Sequence, residues 1–168
     1  MNDAALAVRD WVETFVIRLG LCPFAARPFR KGLVDFSVCP AGDPEAAFVW
    51  TVARLQEFIA SPRKPDATWL LVYPKALDAF EPFLDFVAAA EDLCRESGAD
   101  DLVQFAHFHP AYRFGGVAED DPANATNRSP YPVLQLLLVE GVAEAVRSYP
   151  DVEAIPARNV ALLRGQRD

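Results

Sequence analysis

The chain contains only two histidines, His107 and His109, and they stand two residues apart. Side chains at that spacing on a strand face the same way, so the pair can share one metal ion. Alternatively, His109 can serve as a general acid or base, because an imidazole titrates near neutrality. A metal site would need more ligands. With no third histidine, they would have to come from Cys22, Cys39 or the acidic loop at Glu119-Asp120-Asp121. A third reading makes each imidazole a hydrogen-bonded member of the core.

Arg128 is the best anion anchor, since its planar guanidinium can grip a carboxylate or phosphate with two parallel hydrogen bonds. It precedes Ser129-Pro130, which reads as a helix opening, but Pro130 and Pro132 remove backbone donors that such an opening would offer an anion. Ser129 is expected to accept from the Tyr131 N–H. The competing reading has Arg128 pin its own loop by ion pairs to the acidic residues. Cys22 lies before Pro23 with no adjacent Lys or Arg to depress its pKa, so on sequence alone it reads as a small buried apolar group. Cys94 falls on the apolar face of a helix, and Lys75 reads as a solvated amine. Asn124-Ala125-Thr126 matches a glycosylation sequon and is read as chance. No phosphate-binding glycine loop, dinucleotide fingerprint, serine elbow or paired-cysteine motif is present, so nucleotide-cofactor, hydrolase and zinc-finger readings have no motif behind them and any cofactor is unknown.

The elements that must position these groups follow a strand–helix grammar. Asn2 to Leu19 places Val8, Trp11, Val12, Phe15, Val16 and Leu19 at helical spacing, capped by Asn2 or Asp3 and stopped at Gly20. Leu33 to Val38 reads as a first strand. Asp43-Pro44-Glu45 then opens a helix that ends at Ser61-Pro62. Thr68 to Tyr73 is a second strand, Phe83 to Cys94 marks a helix ending at Gly98, and Leu102 to Phe108 is a third strand. Ala111 to Arg128 reads as a long polar loop, of the kind that is usually functional or mobile. Helices are expected from Ser129-Pro130, through Leu134, Leu137, Leu138, Val142 and Val146, and again from Ile155 to Gly165, with Gln166-Arg167-Asp168 frayed.

The resulting expectation is a single α/β domain over 1–168. It is a three-layer sandwich around a short, mainly parallel sheet, with a β-α-β-α-β core at 33–110, an N-terminal helix at 1–20, a loop at 111–128 and C-terminal helices at 129–165. In such sheets ligands bind beyond the carboxyl ends of the strands. That edge would gather Cys39, Tyr73, His107 and His109, and the loop ending in Asn127-Arg128-Ser129.

Charge narrows the partners. The net charge is −8, and no basic run exceeds Arg30-Lys31 or Arg63-Lys64, which argues against nucleic acid and anionic membranes. The start of the chain lacks a basic segment followed by an apolar stretch, so a cytoplasmic location is expected. Hydrophobic residues make up 52%, enough to build a core, and an odd number of cysteines, 3, argues against a disulfide framework.

Four segments taken together resemble a bacterial family catalogued as domain of unknown function 1415, over nearly the whole chain. They are Leu19-Gly20-Leu21-Cys22-Pro23-Phe24-Ala25, Phe108-His109-Pro110-Ala111-Tyr112-Arg113-Phe114, Asn124 through Pro132, and Ile155-Pro156-Ala157-Arg158-Asn159. The family name implies no activity. The resemblance does imply positions of interest: Cys22, Pro23, His109, Tyr112, Phe114, Asn127, Arg128, Ser129, Arg158 and Asn159. It also implies departures, since the family pattern has histidines where this chain has Tyr73 and Gln135, and an arginine at Leu138. The leading expectation is therefore an enzyme acting on a small anionic or polar metabolite. In it His109 is the acid or base, Cys22 and Tyr112 line the cleft, and Arg128, with Asn127, Ser129, Arg158 and Asn159, binds substrate. The alternatives are a non-catalytic metabolite-sensing or partner-binding domain and a metal- or haem-binding protein.

Overall fold

The computed structural model describes residues 1–165; the fraying expected of Gln166-Arg167-Asp168 lies outside the described residues. Helix α1, Asp3–Trp11, starts where the Asn2 side chain accepts from the Ala4 N–H, and it buries Ala4, Ala5 and Val8. The expected continuous helix to Leu19 instead widens into a π-helical segment, Val12–Ile17. Here the Thr14 hydroxyl donates to the Asp10 carbonyl at 2.6 Å. The chain leaves this segment through Gly20, whose φ of 64° is the left-handed stop expected of it. A short helix α2, Ala26–Arg30, precedes strand β1, Val34–Val38.

Helix α3, Pro44–Ala60, carries the expected Asp43 cap and first-turn proline. Strand β2, Thr68–Val72, then leads to helix α4, Phe80–Ser97, which ends at Gly98 with φ 77°. Strand β3 is Val103–Phe108, strand β4 is Val133–Leu138, and helices α5, Val139–Ser148, and α6, Ile155–Gly165, follow.

Two expectations are corrected here. The segment through Leu134, Leu137 and Leu138, expected as the first half of a helix, is strand β4, so the C-terminal helices begin only at Val139. Val133-Leu134-Gln135-Leu136-Leu137-Leu138 is a nearly unbroken apolar run, and a strand apolar on both faces shows no alternation in sequence to tell it from a helix. Second, the four-stranded sheet has the order β1-β2-β4-β3, so it is mixed rather than mainly parallel. β1 and β2 pair in parallel, as expected of a crossover through α3. β4 inserts between β2 and β3 and runs antiparallel to both, so β3 never meets β2.

Side-chain alternation divides the core. Leu71, Tyr73, Leu134, Leu136 and Val103 meet α3 and α4 on one face. Leu70, Val72 and Val133 meet Ala4, Val8 and Val12 of the N-terminal helix on the other. That second face is covered only in part, so the expected third layer is incomplete. Among the described residues no helix is long and apolar enough to cross a membrane.

Candidate functional site

β1, β2 and β3 run in the same direction, so Cys39, Tyr73 and His109 do share one sheet edge. That edge is closed. Cys39 and Tyr73 are buried, their backbone N–H groups donate to the Val72 and Pro132 carbonyls, and the Tyr73 hydroxyl is hydrogen-bonded to Thr51 at 2.7 Å.

His109 is 1% exposed, packed between Phe80 and Phe83 at ring separations of 5.4 and 5.0 Å. Its Nδ1 accepts from the Ala111 N–H at 3.0 Å, which puts the proton on Nε2, and Nε2 donates to the Leu77 carbonyl at 2.9 Å. Both nitrogens are thus engaged. Burial lowers the His109 pKa, outweighing the opposite pull of the Leu77 and Asp78 carbonyls. Leu77 itself is buried at φ 66°, an unfavourable conformation for a branched residue, and the bond from His109 helps to fix it. His107 points to the same face and stacks on Tyr112 at 5.6 Å, while Tyr112 also packs on Phe80 and Phe114. His107, His109 and Tyr112 therefore belong to one aromatic cluster against the start of α4. Among the described residues no group of three or more His, Cys, Asp or Glu is placed to hold a metal ion.

Arg128 donates through Nε to the Tyr112 carbonyl at 2.9 Å and through Nη2 to the Glu119 carbonyl at 2.7 Å. It pins the long loop, as the competing reading had it, though through backbone carbonyls rather than carboxylates. Ser129 donates to the Tyr131 carbonyl instead of accepting from its N–H. The organiser of this loop is Asn124, which is 0% exposed. It accepts from the Phe114 N–H at 3.0 Å and donates to the Ala118 and Glu119 carbonyls. The matching sequon is therefore closed to glycosylation, and what looked like chance is a loop core. Pro122–Asn127 forms a 3-10 helix beneath it.

The open ground lies on the other sheet face. A cavity of about 410 Å³ sits there, floored by residues of β2, β3 and β4. It is walled by Trp11, Val12 and Val16 of the N-terminal helix, by the Leu21–Ala25 turn, by Pro65-Asp66-Ala67, and by Gly141, Val142 and Ala145 of α5. The π-helical turn thus forms one wall, and such turns recur at functional sites. Register sets the floor. Thr68, Leu137 and Gln104 form one row across β2, β4 and β3; Leu70, Gln135 and Ala106 form the next. A third row, Val72, Val133 and Phe108, ends at the carboxyl edge of β2 and β3, and α1 packs on Val72 and Val133. The cavity consequently opens over the amino-terminal halves of β2 and β3, away from the edge where a ligand was expected. The helix reading of residues 134–138 hid Gln135. Its signal was a single polar residue inside an otherwise apolar run.

Of the expected site residues, Cys22 and Asn127 line this cavity. Asn127 donates to the His107 carbonyl at 3.0 Å and accepts, through its own carbonyl, the His109 N–H. Arg158 and Asn159 do not line the cavity; they hold the turn that presents Cys22. Arg158 donates to the Gly20 carbonyl at 3.0 Å, and buried Asn159 to the Leu21 carbonyl at 2.6 Å. Cys22 is an exposed residue and lines the cavity. The surrounding protein desolvates its thiol and pushes its pKa up, although the nearby Phe24 and Ala25 backbone N–H groups pull the other way. No histidine, lysine or arginine is among the described residues that line the cavity.

A family model described as protein of unknown function (DUF1415) matches residues 3–168. No curated protein matches the chain, and no solved structure does.

Proposed function

The chain belongs to the DUF1415 family, whose description assigns no activity, and from that premise we propose that it binds a small, largely apolar molecule in the cavity over the exposed half of its sheet. The observation that carries this reading is the cavity itself. Its volume of about 410 Å³ lies within the range of small-molecule sites, and apolar side chains surround a few polar ones, the usual make-up of such sites. A reading centred on His109 and Arg128 has less support, since both imidazole nitrogens and two guanidinium nitrogens are already bonded within the protein.

The test is calorimetric and thermal titration of the purified protein with 4-phenylbutanol, a neutral molecule smaller than the cavity. Saturable binding is expected, with a rise in Tm set by mass action. Ala106→Phe and Ala145→Trp, each of which fills part of the cavity, should abolish it. Binding that persists unchanged in both variants would place the molecule elsewhere and refute the proposal.

A second reading makes the protein an enzyme with Cys22 as nucleophile. It is favoured by the backbone N–H groups of Phe24 and Ala25 near Cys22, which pull the thiol pKa down and would favour a thiolate. Against it, desolvation raises the thiol pKa, and no histidine is among the described residues that line the cavity. Alkylation of Cys22 by iodoacetamide as a function of pH decides it. A rate that is still substantial at pH 6 supports the nucleophile, and a rate that rises only above pH 9 removes it.

A further inference from the structure

The floor of the cavity carries a carboxamide in the row between Thr68, Leu137 and Gln104 on one side and Val72, Val133 and Phe108 on the other. Gln135 is on β4, an inner strand, flanked by Leu70 and Ala106 and two residues from Leu137. A carboxamide there loses hydration, and that cost is recovered only where its polar atoms find partners. One atom does: Nε2 donates to Thr68 Oγ1 at 3.0 Å. Thr68 Oγ1 in turn donates to the Leu136 carbonyl at 2.7 Å.

This chain fixes which way the carboxamide points. The single hydroxyl proton of Thr68 is committed to a carbonyl, which can only accept, so the bond from Gln135 must be one that Thr68 receives. The amide nitrogen therefore faces Thr68, and Oε1 is left as an acceptor with no protein donor among the described residues. The wall carries one unpartnered group of each kind: Asp66, whose Oδ2 is buried without a hydrogen-bond donor 3.7 Å from the Nε of the exposed Arg27, and Trp11, whose Nε1–H is buried without an acceptor. With no histidine, lysine or arginine among the described lining residues, an anionic ligand would shed its hydration shell beside the Gln135 carbonyl oxygen and gain no counter-charge.

Building on the reading of the cavity as a binding site, we infer that it selects a molecule with an apolar body and a hydrogen-bond donor, a hydroxyl or amine, that meets Gln135 Oε1, and that it discriminates against carboxylates. This reverses the charge preference that Arg128 suggested, because Arg128 is spent on the loop.

A matched series on one apolar body tests it: butylbenzene, 4-phenylbutanol, 4-phenylbutylamine and 4-phenylbutyrate, titrated by calorimetry at pH 7.5. The alcohol and the amine should bind on the order of ten-fold more tightly than butylbenzene, and 4-phenylbutyrate at least ten-fold more weakly than the alcohol. Gln135→Leu, an apolar replacement on an apolar floor, should keep butylbenzene binding and erase the advantage of the alcohol. Asp66→Asn should narrow the penalty on the carboxylate. The inference is overturned if 4-phenylbutyrate binds as tightly as the alcohol, or if the alcohol keeps its advantage in Gln135→Leu. Failure of all four compounds to bind would instead remove the binding site itself, and this selectivity with it.

Discussion

Gly141 offers a decisive check on how the cavity is closed. It sits in α5 against the Pro65–Asp66 turn, and a Cβ built on it would lie 1.7 Å from the Pro65 carbonyl oxygen and 2.6 Å from its carbonyl carbon. Ordinary contact begins near 3.4 Å, and the obstacle is backbone, so no side chain can swing aside. In Gly141→Ala the helix must withdraw by about 1.5 Å or the turn must move, an overpacking cost of about 3 kcal/mol at the upper end of such effects. Alanine recovers about 1 kcal/mol through its better helix propensity. The net loss is about 2 kcal/mol, which for a chain of this length lowers Tm by roughly 4–8 °C. The sign is what discriminates. Were α5 not packed on this turn, the same substitution would stabilise the protein by about 0.4–1 kcal/mol. Urea and thermal denaturation of Gly141→Ala beside Gly115→Ala, where a Cβ meets nothing within 4 Å, separates the cases. A Gly141→Ala protein with unchanged or higher Tm would refute the packing of α5 and with it one wall of the cavity.

Other outcomes follow from the same geometry. Burial lowers the pKa of both His107 and His109, so the unfolded chain binds more protons than the folded one below the ordinary imidazole pKa of about 6.5. Stability should be full above that pH and fall as the solution is acidified from there towards pH 5; a Tm equal at pH 7.5 and 5.5 would contradict it. Asn159→Ala leaves the buried Leu21 carbonyl without its donor and should cost about 1–3 kcal/mol. It should also speed alkylation of Cys22 by releasing its turn, and an unchanged alkylation rate would separate Asn159 from Cys22. Asn124→Ala removes the bonds to Phe114, Ala118 and Glu119 together and should cost on the order of 3 kcal/mol, with protease cleavage appearing within 111–128. A variant as resistant as the parent would show that the loop holds without it.

What the sequence made legible were elements closed by local chemistry. Asn2, Asp43, Gly20 and Gly98 act within about one helical turn of themselves, so their caps and stops could be read directly and stand where they were expected. Sheet order could not be read this way. The insertion of Val133–Leu138 between β2 and β3 depends on partners 67 residues away, such as the bond from Gln135 to Thr68, and a run apolar on both faces shows no period to reveal it. The same non-locality governs the site. His109 and Arg128 looked available because a residue type shows its chemistry but not its partners. The Leu77 carbonyl that occupies His109 lies 32 positions upstream, and the Tyr112 carbonyl that occupies Arg128 lies 16 upstream.

The cavity is a consequence of that inserted strand. An inner strand of apolar residues demands cover on both faces, and α3 and α4 supply most of it on one side. On the other side α1 covers the row at the carboxyl edge and then widens through its π-helical turn, while α5, leaving β4 directly at Val139, is held by Gly141 close against Pro65 rather than over Gln135. A fold under selection for stability alone would close this gap with larger side chains at Ala106 and Ala145, and would replace Gln135 with leucine or valine. Those three substitutions make the argument quantitative. If Ala106→Leu, Ala145→Leu and Gln135→Leu each raise Tm while each weakens the binding of 4-phenylbutanol, the small and polar residues at these positions are held for the ligand. If they raise Tm and leave binding unchanged, the gap is a packing defect and carries no function.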